Sequence, residues 1–216
     1  CSHLPDFVLL RPVHVDGVVR ALVACILHHQ DVGGITPGSV PTDATSIHQE
    51  GLRIPPVRLY HQGHADASLM RLLRANSRMP DNLAGDLAAQ WAALALGEQA
   101  LQPLLAQPGF DAQAQALIAA SEAATRAALR AAPDGEWRFA DALDGDGITP
   151  GPVPLDVVLR KRGDALQIDL RGCAAQTRGP VNASRGAVWA AVSYLARMLA
   201  PQAHSNHGCT APVTLL

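Results

Sequence analysis

Two apolar runs near the start of the chain predict a β-hairpin. They cover residues 7–13 and 18–27 and are rich in β-branched side chains. Asp16 and Gly17 lie between the runs, and an Asp-Gly pair in this position favours a two-residue turn because both residues tolerate positive φ angles. The pattern therefore predicts two antiparallel strands joined by a tight turn.

Glycine and proline dominate the segment that follows the hairpin. Gly33, Gly34 and Gly38 lie close together, and Pro55 and Pro56 exclude a helix further along. Because glycine lets the backbone approach a ligand closely, this segment is predicted to be an irregular loop that can line a pocket.

Leucine and alanine recur at helical spacing through the middle of the chain. This periodicity predicts helices over residues 67–76, 83–105 and 111–131. Asp111 is predicted to cap the third helix, because its carboxylate can accept hydrogen bonds from the backbone N–H groups of the first turn.

Short β-type runs return in the last third of the chain. They predict strands over residues 137–142, 153–160 and 165–170. A turn at Gly163 joins the second run to the third, so we expect these two strands to pair antiparallel. A strong helical pattern follows over residues 185–200.

These elements together predict an α+β fold with three successive regions. Residues 1–65 hold the hairpin and the loop, residues 66–132 are helical, and residues 133–216 contain antiparallel strands and then a helix. We expect all three regions to be parts of one larger catalytic subunit.

Composition excludes several classes of function. The 216 residues carry a formal net charge of −2 and no basic run, so neither a nucleic acid nor an anionic membrane is an expected partner. No apolar run approaches the roughly 20 residues that span a bilayer. The four cysteines are scattered, without a CxxC pair, which favours free thiols over a zinc–cysteine site or a disulfide framework. We therefore expect a cytoplasmic protein.

Two histidines and an aspartate are the candidate metal ligands. If the hairpin turn is ideal, Pro5 lies opposite His28, and His3 lies diagonally beside His28 on the same face. Asp6 joins the two histidines only if residues 3–6 form a turn, which Pro5 favours. Two imidazoles and a carboxylate suit Zn²⁺ or Mn²⁺. Spacing alone equally allows a turn hydrogen bond between His3 and Asp6, with His28 as an ordinary strand-end residue.

Asp31 and Glu50 are the candidate catalytic residues, because both lie in the loop that is rich in glycine and histidine. A general-base role for Glu50 is one interpretation, and a hydrogen bond that stabilises the loop is the other. Asp144 and Asp146 belong to an Asp-Gly-Asp-Gly segment that lacks the later glutamate ligand of an EF-hand, so we expect a solvated turn there.

Eight motifs mark the chain in order from residue 28 to residue 209, and together they resemble the hydantoinase B family. That family includes the B-type subunits and regions of ATP-dependent hydantoinases, 5-oxoprolinases, and acetone and acetophenone carboxylases. The motifs are HHQDVGG at 28–34, TPGSVP at 36–41, HQEGLRIPPV at 48–57, PDG at 133–135, DGDG at 144–147, IDLRG at 168–172, GPVN at 179–182 and NHGC at 206–209.

The resemblance implies a metal site at the start of the hairpin. The family carries His-x-x-Asp before the first strand and His at the end of the second, which makes His3, Asp6 and His28 the implied ligands of Zn²⁺ or Mn²⁺. It also implies a further carboxylate ligand from a segment upstream of residue 1. At position 2 the family usually has Thr, where this chain has Ser2.

The resemblance also implies a division of labour between two subunits. A hydantoinase A-type partner binds ATP and phosphorylates the carbonyl oxygen of a lactam or a ketone, and the B-type chain delivers a metal-activated water to the activated carbon. The implied activity is hydrolysis of a cyclic amide such as a hydantoin or 5-oxoproline. The alternatives are a subunit of an acetone or acetophenone carboxylase, and a non-catalytic remnant that only binds an A-type partner.

Overall fold

The computed structural model describes residues 3–216, which divide into two units between Pro108 and Gly109. The fold is α+β, as the sequence predicted. The boundary between the units falls inside the helical region predicted over residues 66–132, so the two long helices of that region belong to different units.

The first unit begins with the predicted hairpin. Strands β1 (Asp6–Val15) and β2 (Val18–His28) pair antiparallel, and Val15 lies opposite Val18. The φ angles of Asp16 and Gly17 are +50° and +77°, which are the angles that a two-residue turn of this hand requires. The hairpin prediction is confirmed.

The register of the hairpin differs from the ideal one by a single residue. Val19 lies opposite His14, but the next pair along the ladder joins Ala21 to Val13, so β2 contains one extra residue. This β-bulge makes Asp6 the partner of His28. The prediction that Pro5 lies opposite His28 was therefore wrong.

Helices α1 (Ala67–Ala75) and α2 (Pro80–Leu105) complete the first unit. Helix α2 begins at a proline, whose missing N–H costs nothing in the first turn of a helix. It crosses β2 closely: a Cβ atom at Gly97 would lie 2.7 Å from Cγ1 of Val23. The buried side chains of this core are Val32, Leu73, Leu83 and Leu87.

The loop between β2 and α1 contains only short elements. A 3₁₀ turn covers Ile47–Gln49, and a minimal hairpin pairs β3 (Tyr60–His61) with β4 (His64–Ala65). The predicted irregular loop over this part of the chain is confirmed.

The second unit is a four-stranded sheet covered by two helices. Its elements are α3 (Phe110–Ala131), β5 (Gly135–Leu143), β6 (Val153–Arg162), β7 (Ala165–Asp169), α4 (Arg185–Leu199) and β8 (Val213–Leu215). In space the strands run β5-β6-β7-β8, and the predicted antiparallel pairing of the second and third runs is confirmed as β6 with β7. Strand β8 pairs with β7 in parallel, which the sequence did not predict.

Helix α3 begins differently from the prediction. Gly109 is its N-cap residue, with φ +80° and no side-chain hydrogen bond, so the predicted capping role of Asp111 was wrong. Asp111 lies in the first turn, where a negative charge is stabilised by the helix dipole.

The described cysteines are free thiols, as expected: Cys25 and Cys173 are half-buried and Cys209 is buried. Cys1 lies outside the described residues. Within residues 3–216 no helix is both long enough and apolar enough to cross a membrane.

Candidate metal centre and glycine-rich loop

His3, Asp6 and His28 converge at the open end of the first hairpin. Each offers a ligand atom, and these atoms all lie within 4.8 Å of one another. His3 Nδ1 is 3.1 Å from Asp6 Oδ2, and the ring centroids of His3 and His28 are 4.7 Å apart. No other cluster of this kind occurs among the residues that the structure describes.

A turn before β1 brings His3 to the other two residues. The backbone N–H of Asp6 donates to the carbonyl of His3 over 3.3 Å, which closes the turn that Asp6 needs in order to join the cluster. The backbone N–H of His29 donates to the carbonyl of Pro5 over 2.8 Å, so the turn is tied to the end of β2. The cluster therefore depends on local turn geometry and on strand pairing together.

The cluster lies on the face of the hairpin that is turned away from α2. Side chains alternate between the two faces of a strand, so Asp6 shares a face with Val8, and His28 shares a face with Ile26. Val8 and Ile26 are about half exposed. His28 is exposed, whereas His3 and Asp6 are partly buried. A small molecule in solvent can therefore approach the three side chains from the exposed face of the hairpin.

The three side chains fit a divalent metal ion in type and in spacing. Zinc ligands sit about 2.0–2.1 Å from the ion and therefore roughly 3.3 Å from one another. At 3.1 Å the pair His3–Asp6 is close to this separation, and the ligand atoms of all three residues lie within 4.8 Å of one another. Three protein ligands also leave a coordination position for water or substrate.

His29 lies beside this cluster on the opposite, buried face. Its ring is fully buried and contacts the ring of Phe7, with centroids 4.3 Å apart. Burial lowers the pKa of His29, so the ring is neutral near pH 7. Its Nδ1 atom has no hydrogen-bond partner among residues 3–216, since the nearest carboxylate oxygen, Asp86 Oδ2, is 3.8 Å away.

Asp31 organises the glycine-rich loop. Its carboxylate accepts hydrogen bonds from the backbone N–H groups of Gly33, Gly38 and Arg78, and from the Arg78 guanidinium, all at 2.9–3.0 Å. The Asp31 side chain is only 3% exposed. Burial raises the pKa of Asp31, but the four donors together outweigh burial and hold the pKa at about 2.

Both oxygens of the Asp31 carboxylate accept hydrogen bonds, and its low pKa keeps it charged, so it is suited to holding the loop in place. The same arginine donates to the carbonyl of Gly34 over 2.7 Å, and Ser77 donates to the carbonyl of Asp31 over 2.7 Å. The segment between α1 and α2 thus clamps the loop after β2. These contacts give Asp31 a structural role in the loop. A catalytic role for Asp31 stays a prediction.

Glu50 follows the 3₁₀ turn and is held through its backbone. Its N–H donates to the carbonyl of Ile47 over 3.2 Å, and a Cβ atom at Gly34 would lie 2.6 Å from its carbonyl carbon. The Glu50 carboxylate makes no hydrogen bond or ion pair with any residue from 3 to 216, so the side-chain hydrogen bond considered from the sequence is absent. Its general-base role stays a prediction.

Asp146 is not part of a solvated turn, which corrects the expectation. It is 2% exposed, and its carboxylate accepts hydrogen bonds from the backbone N–H groups of Thr149, Ile148 and Gly179. These backbone donors, Thr149 first, hold the pKa of Asp146 at about 2. Asp144 is exposed, as expected. The burial of Asp146 could not be predicted locally because Gly179 lies 33 residues further along the chain.

The family model for hydantoinase B/oxoprolinase matches residues 1–216, the whole of the chain. The chain belongs to the hydantoinase B/oxoprolinase family. The resemblance drawn from the eight motifs is thereby confirmed.

Relatives and a solved structure of this family agree with that assignment. The 5-oxoprolinase of Dictyostelium discoideum is 31% identical over 98% of this chain, and the acetophenone carboxylase delta subunit of Aromatoleum aromaticum is 28% identical over 84%. The crystal structure of the ATP-dependent caprolactamase from Pseudomonas jessenii superimposes on 99% of the chain with a TM-score of 0.89 and 30% identity.

The chain spans only part of the length of these proteins. It spans 17% of the length of the oxoprolinase, 27% of the carboxylase subunit and 38% of the caprolactamase chain.

Proposed function

We propose that this chain is the metal-binding portion of a B-type subunit that hydrolyses a cyclic amide with the help of an ATP-binding partner. The observation that carries the proposal is the convergence of His3, Asp6 and His28 in a member of the hydantoinase B/oxoprolinase family. The ring substrates in question are lactams of the hydantoin, oxoproline or caprolactam kind, since similar proteins are named for the last two.

The chain's residues hold the ion and leave room for the reacting groups. His3 and His28 contribute imidazole nitrogens and Asp6 contributes carboxylate oxygens, a donor set that suits Zn²⁺ or Mn²⁺. Such an ion, when bound, supplies a Lewis acid that lowers the pKa of water to about 7. The cluster faces away from α2, so a substrate reaches it without moving the core of the unit.

Glu50 is the candidate for moving a proton. Its carboxylate has no partner in the described part of the chain, and the close approach of Gly34 fixes its backbone. A carboxylate held this way can accept a proton from an attacking water and pass it to the departing amide nitrogen.

The partner, and not this chain, is proposed to bind ATP. A glycine-rich loop that cradles a phosphate must offer its backbone N–H groups to the phosphate oxygens. Here the N–H groups of Gly33 and Gly38 already donate to the Asp31 carboxylate, which occupies the place that an anion would take. An A-type subunit that phosphorylates the lactam carbonyl oxygen is the matching partner.

Metal analysis of the intact protein tests this proposal. We expect about one Zn²⁺ or Mn²⁺ per chain, and loss of that metal in His28→Ala. The control is His14→Ala, which removes an exposed histidine from the turn end of the same hairpin. A wild-type protein that binds neither metal would contradict the proposal.

Carboxylation of a ketone is the second candidate function, because the carboxylase subunit aligns over 84% of the chain. The two functions differ in their requirement for bicarbonate. ATP hydrolysis in the intact complex that depends on a lactam and not on bicarbonate supports the hydrolase. ATP hydrolysis that needs a ketone and bicarbonate supports the carboxylase.

A further inference from the structure

Gln90 is a buried polar residue on α2 to which the proposed chemistry assigns no role. Its side chain is 2% exposed. The amide nitrogen donates to the carbonyl of Phe7 over 3.0 Å and to the carbonyl of Cys25 over 3.4 Å. The amide oxygen lies 3.0 Å from Nε2 of His29. One side chain of the helix therefore reaches both strands of the hairpin.

The two carbonyl groups fix the orientation of the Gln90 amide. Carbonyl oxygens only accept hydrogen bonds, so the amide NH₂ group faces Phe7 and Cys25, and the amide oxygen faces His29. Nε2 of His29 is then the donor of the remaining hydrogen bond. Every polar atom of the buried amide has a partner in this arrangement.

Two of the three partners of Gln90 are immediate neighbours of the candidate metal ligands. Phe7 follows Asp6 in β1, and His29 follows His28 at the end of β2. The N–H of His29 also donates to the carbonyl of Pro5, which lies in the turn that places His3. A displacement of Gln90 would accordingly reach all three ligands through the backbone, although Gln90 lies on the opposite face of the hairpin.

Packing alone does not account for a glutamine at this position. A buried amide gains little net stability from its hydrogen bonds, because it gives up equivalent bonds to water. An apolar side chain of similar volume would fill the space but would leave the buried Nε2 of His29 without a partner. What the amide adds is a defined geometry for the two strand backbones and the His29 ring that it joins.

We propose that Gln90 is a positioning residue that sets the geometry of the His3–Asp6–His28 cluster by fixing the backbone on either side of Asp6 and His28. This inference rests on the proposed metal-dependent function. Groups that hydrogen-bond directly to a metal ligand commonly change metal affinity by about 10–100-fold when they are removed. Gln90 acts one step further from the ion, through the residues next to Asp6 and His28, so we expect an effect at the lower end of that range.

Two variants of the intact protein test the role of Gln90, with a matched control. Gln90→Met keeps the length of the side chain and removes all three hydrogen bonds. Gln90→Glu keeps the acceptor for His29 and removes the donors to Phe7 and Cys25. Gln99→Met is the control, because it makes the same substitution on the exposed side of α2.

The measurements are the Zn²⁺ dissociation constant, by competition with a chromogenic chelator, and the visible spectrum of the Co²⁺-substituted protein. Thermal unfolding of the metal-free protein is recorded in parallel. We expect both Gln90 variants to bind Zn²⁺ about 10-fold more weakly and to change the Co²⁺ spectrum, whereas Gln99→Met changes neither.

Two outcomes would overturn the positioning role of Gln90. A purely structural residue would lower the unfolding temperature while leaving the Zn²⁺ affinity and the Co²⁺ spectrum of the folded variant as in the wild type, and that result overturns the positioning role. Failure of both variants to fold also overturns it, since Gln90 would then serve the fold itself. Absence of metal from the wild-type protein overturns the proposed function, and it is recognised because the wild type itself fails to bind metal.

Discussion

Asp6 lies directly opposite His28 across the first hairpin, and the two residues share one face of it. Directly opposed side chains on antiparallel strands have Cβ atoms roughly 4.5–5.5 Å apart, close enough for both to bind one ion. The pairing exists because β2 contains one extra residue near its start. A local irregularity thus decides which side chain meets His28 roughly 25 Å further along the strand, at about 3.3 Å per residue.

The first prediction concerns the charge of Asp6. Asp6→Asn keeps the size of the side chain and removes the only negative charge of the cluster, so Zn²⁺ should bind at least about 100-fold more weakly, since even more distant partners contribute about 10–100-fold. Isothermal titration of the metal-free protein with Zn²⁺ measures this. Asp16→Asn is the control, because it makes the same change in the turn at the other end of the hairpin; equal affinities in the two variants would exclude Asp6 as a ligand.

The second prediction concerns the buried carboxylate of Asp31. Asp31→Asn replaces one accepting oxygen by an NH₂ group among four donors, so the free energy of unfolding should fall by about 3 kcal/mol. Urea unfolding followed by circular dichroism measures the change. Asp43→Asn, in an exposed part of the same loop, should have little effect. Unaltered stability together with lost activity would instead support the catalytic role.

The third prediction concerns pH. The pKa of Asp31 is about 2 in the folded protein, below the value of about 3.9 in an unfolded chain. A depressed pKa contributes stability that is present above the unfolded value and is lost as the pH falls toward the folded value. For Asp31 this contribution is about 2–3 kcal/mol. The stability difference between wild type and Asp31→Asn should therefore shrink between about pH 4 and pH 2, as urea titrations at several pH values would show. A difference that stays constant down to pH 2 would contradict the assignment.

The fourth prediction concerns the close approach of Gly34 to Glu50. A Cβ atom at Gly34 would lie 2.5 Å from the carbonyl oxygen of Gln49, so Gly34→Ala should displace Glu50 and reduce turnover. Gly63→Ala is a matched control, since Gly63 has nearly the same φ, +85° against +84°, and nothing within 4 Å of the added atom. The control measures only the cost of placing an alanine at a positive φ angle, which is about 1–2 kcal/mol. The steric clash at Gly34 should lower the free energy of unfolding by a further amount of about 1–3 kcal/mol, measured by thermal or urea unfolding. Equal decreases in the two variants would mean that the loop moves aside without cost, which would contradict the prediction.

Much of the secondary structure follows from the sequence because its determinants are local. The turn at Asp16 and Gly17 depends on two residues that tolerate positive φ angles, and the helices depend on leucine and alanine at a fixed spacing. The motifs between residues 28 and 209 were also sufficient to identify the family, because matches in a fixed order along a whole chain are specific.

The candidate site was only half predictable. The sequence named His3, Asp6 and His28 through the resemblance, and the expected turn at residues 3–6 is present. The register that joins Asp6 to His28 depends on a bulge, for which the residues around Val19 carry no signal. The hairpin also packs on α2, whose residues lie some 70 positions further along the chain, and a local pattern carries no information on such packing.

The sequence by itself determined the elements, the family and the residue types of the candidate metal site, because these depend on neighbours in the chain or on ordered motifs. Only the tertiary structure decided the register at His28, the burial of Asp31 and Asp146, and the contact of Gln90 with both strands. The physical reason is that each of these features depends in part on a segment that is distant in the chain: the opposite strand for the register at His28, Arg78 for Asp31, Gly179 for Asp146, and the hairpin for Gln90. Only folding brings such segments within hydrogen-bond distance.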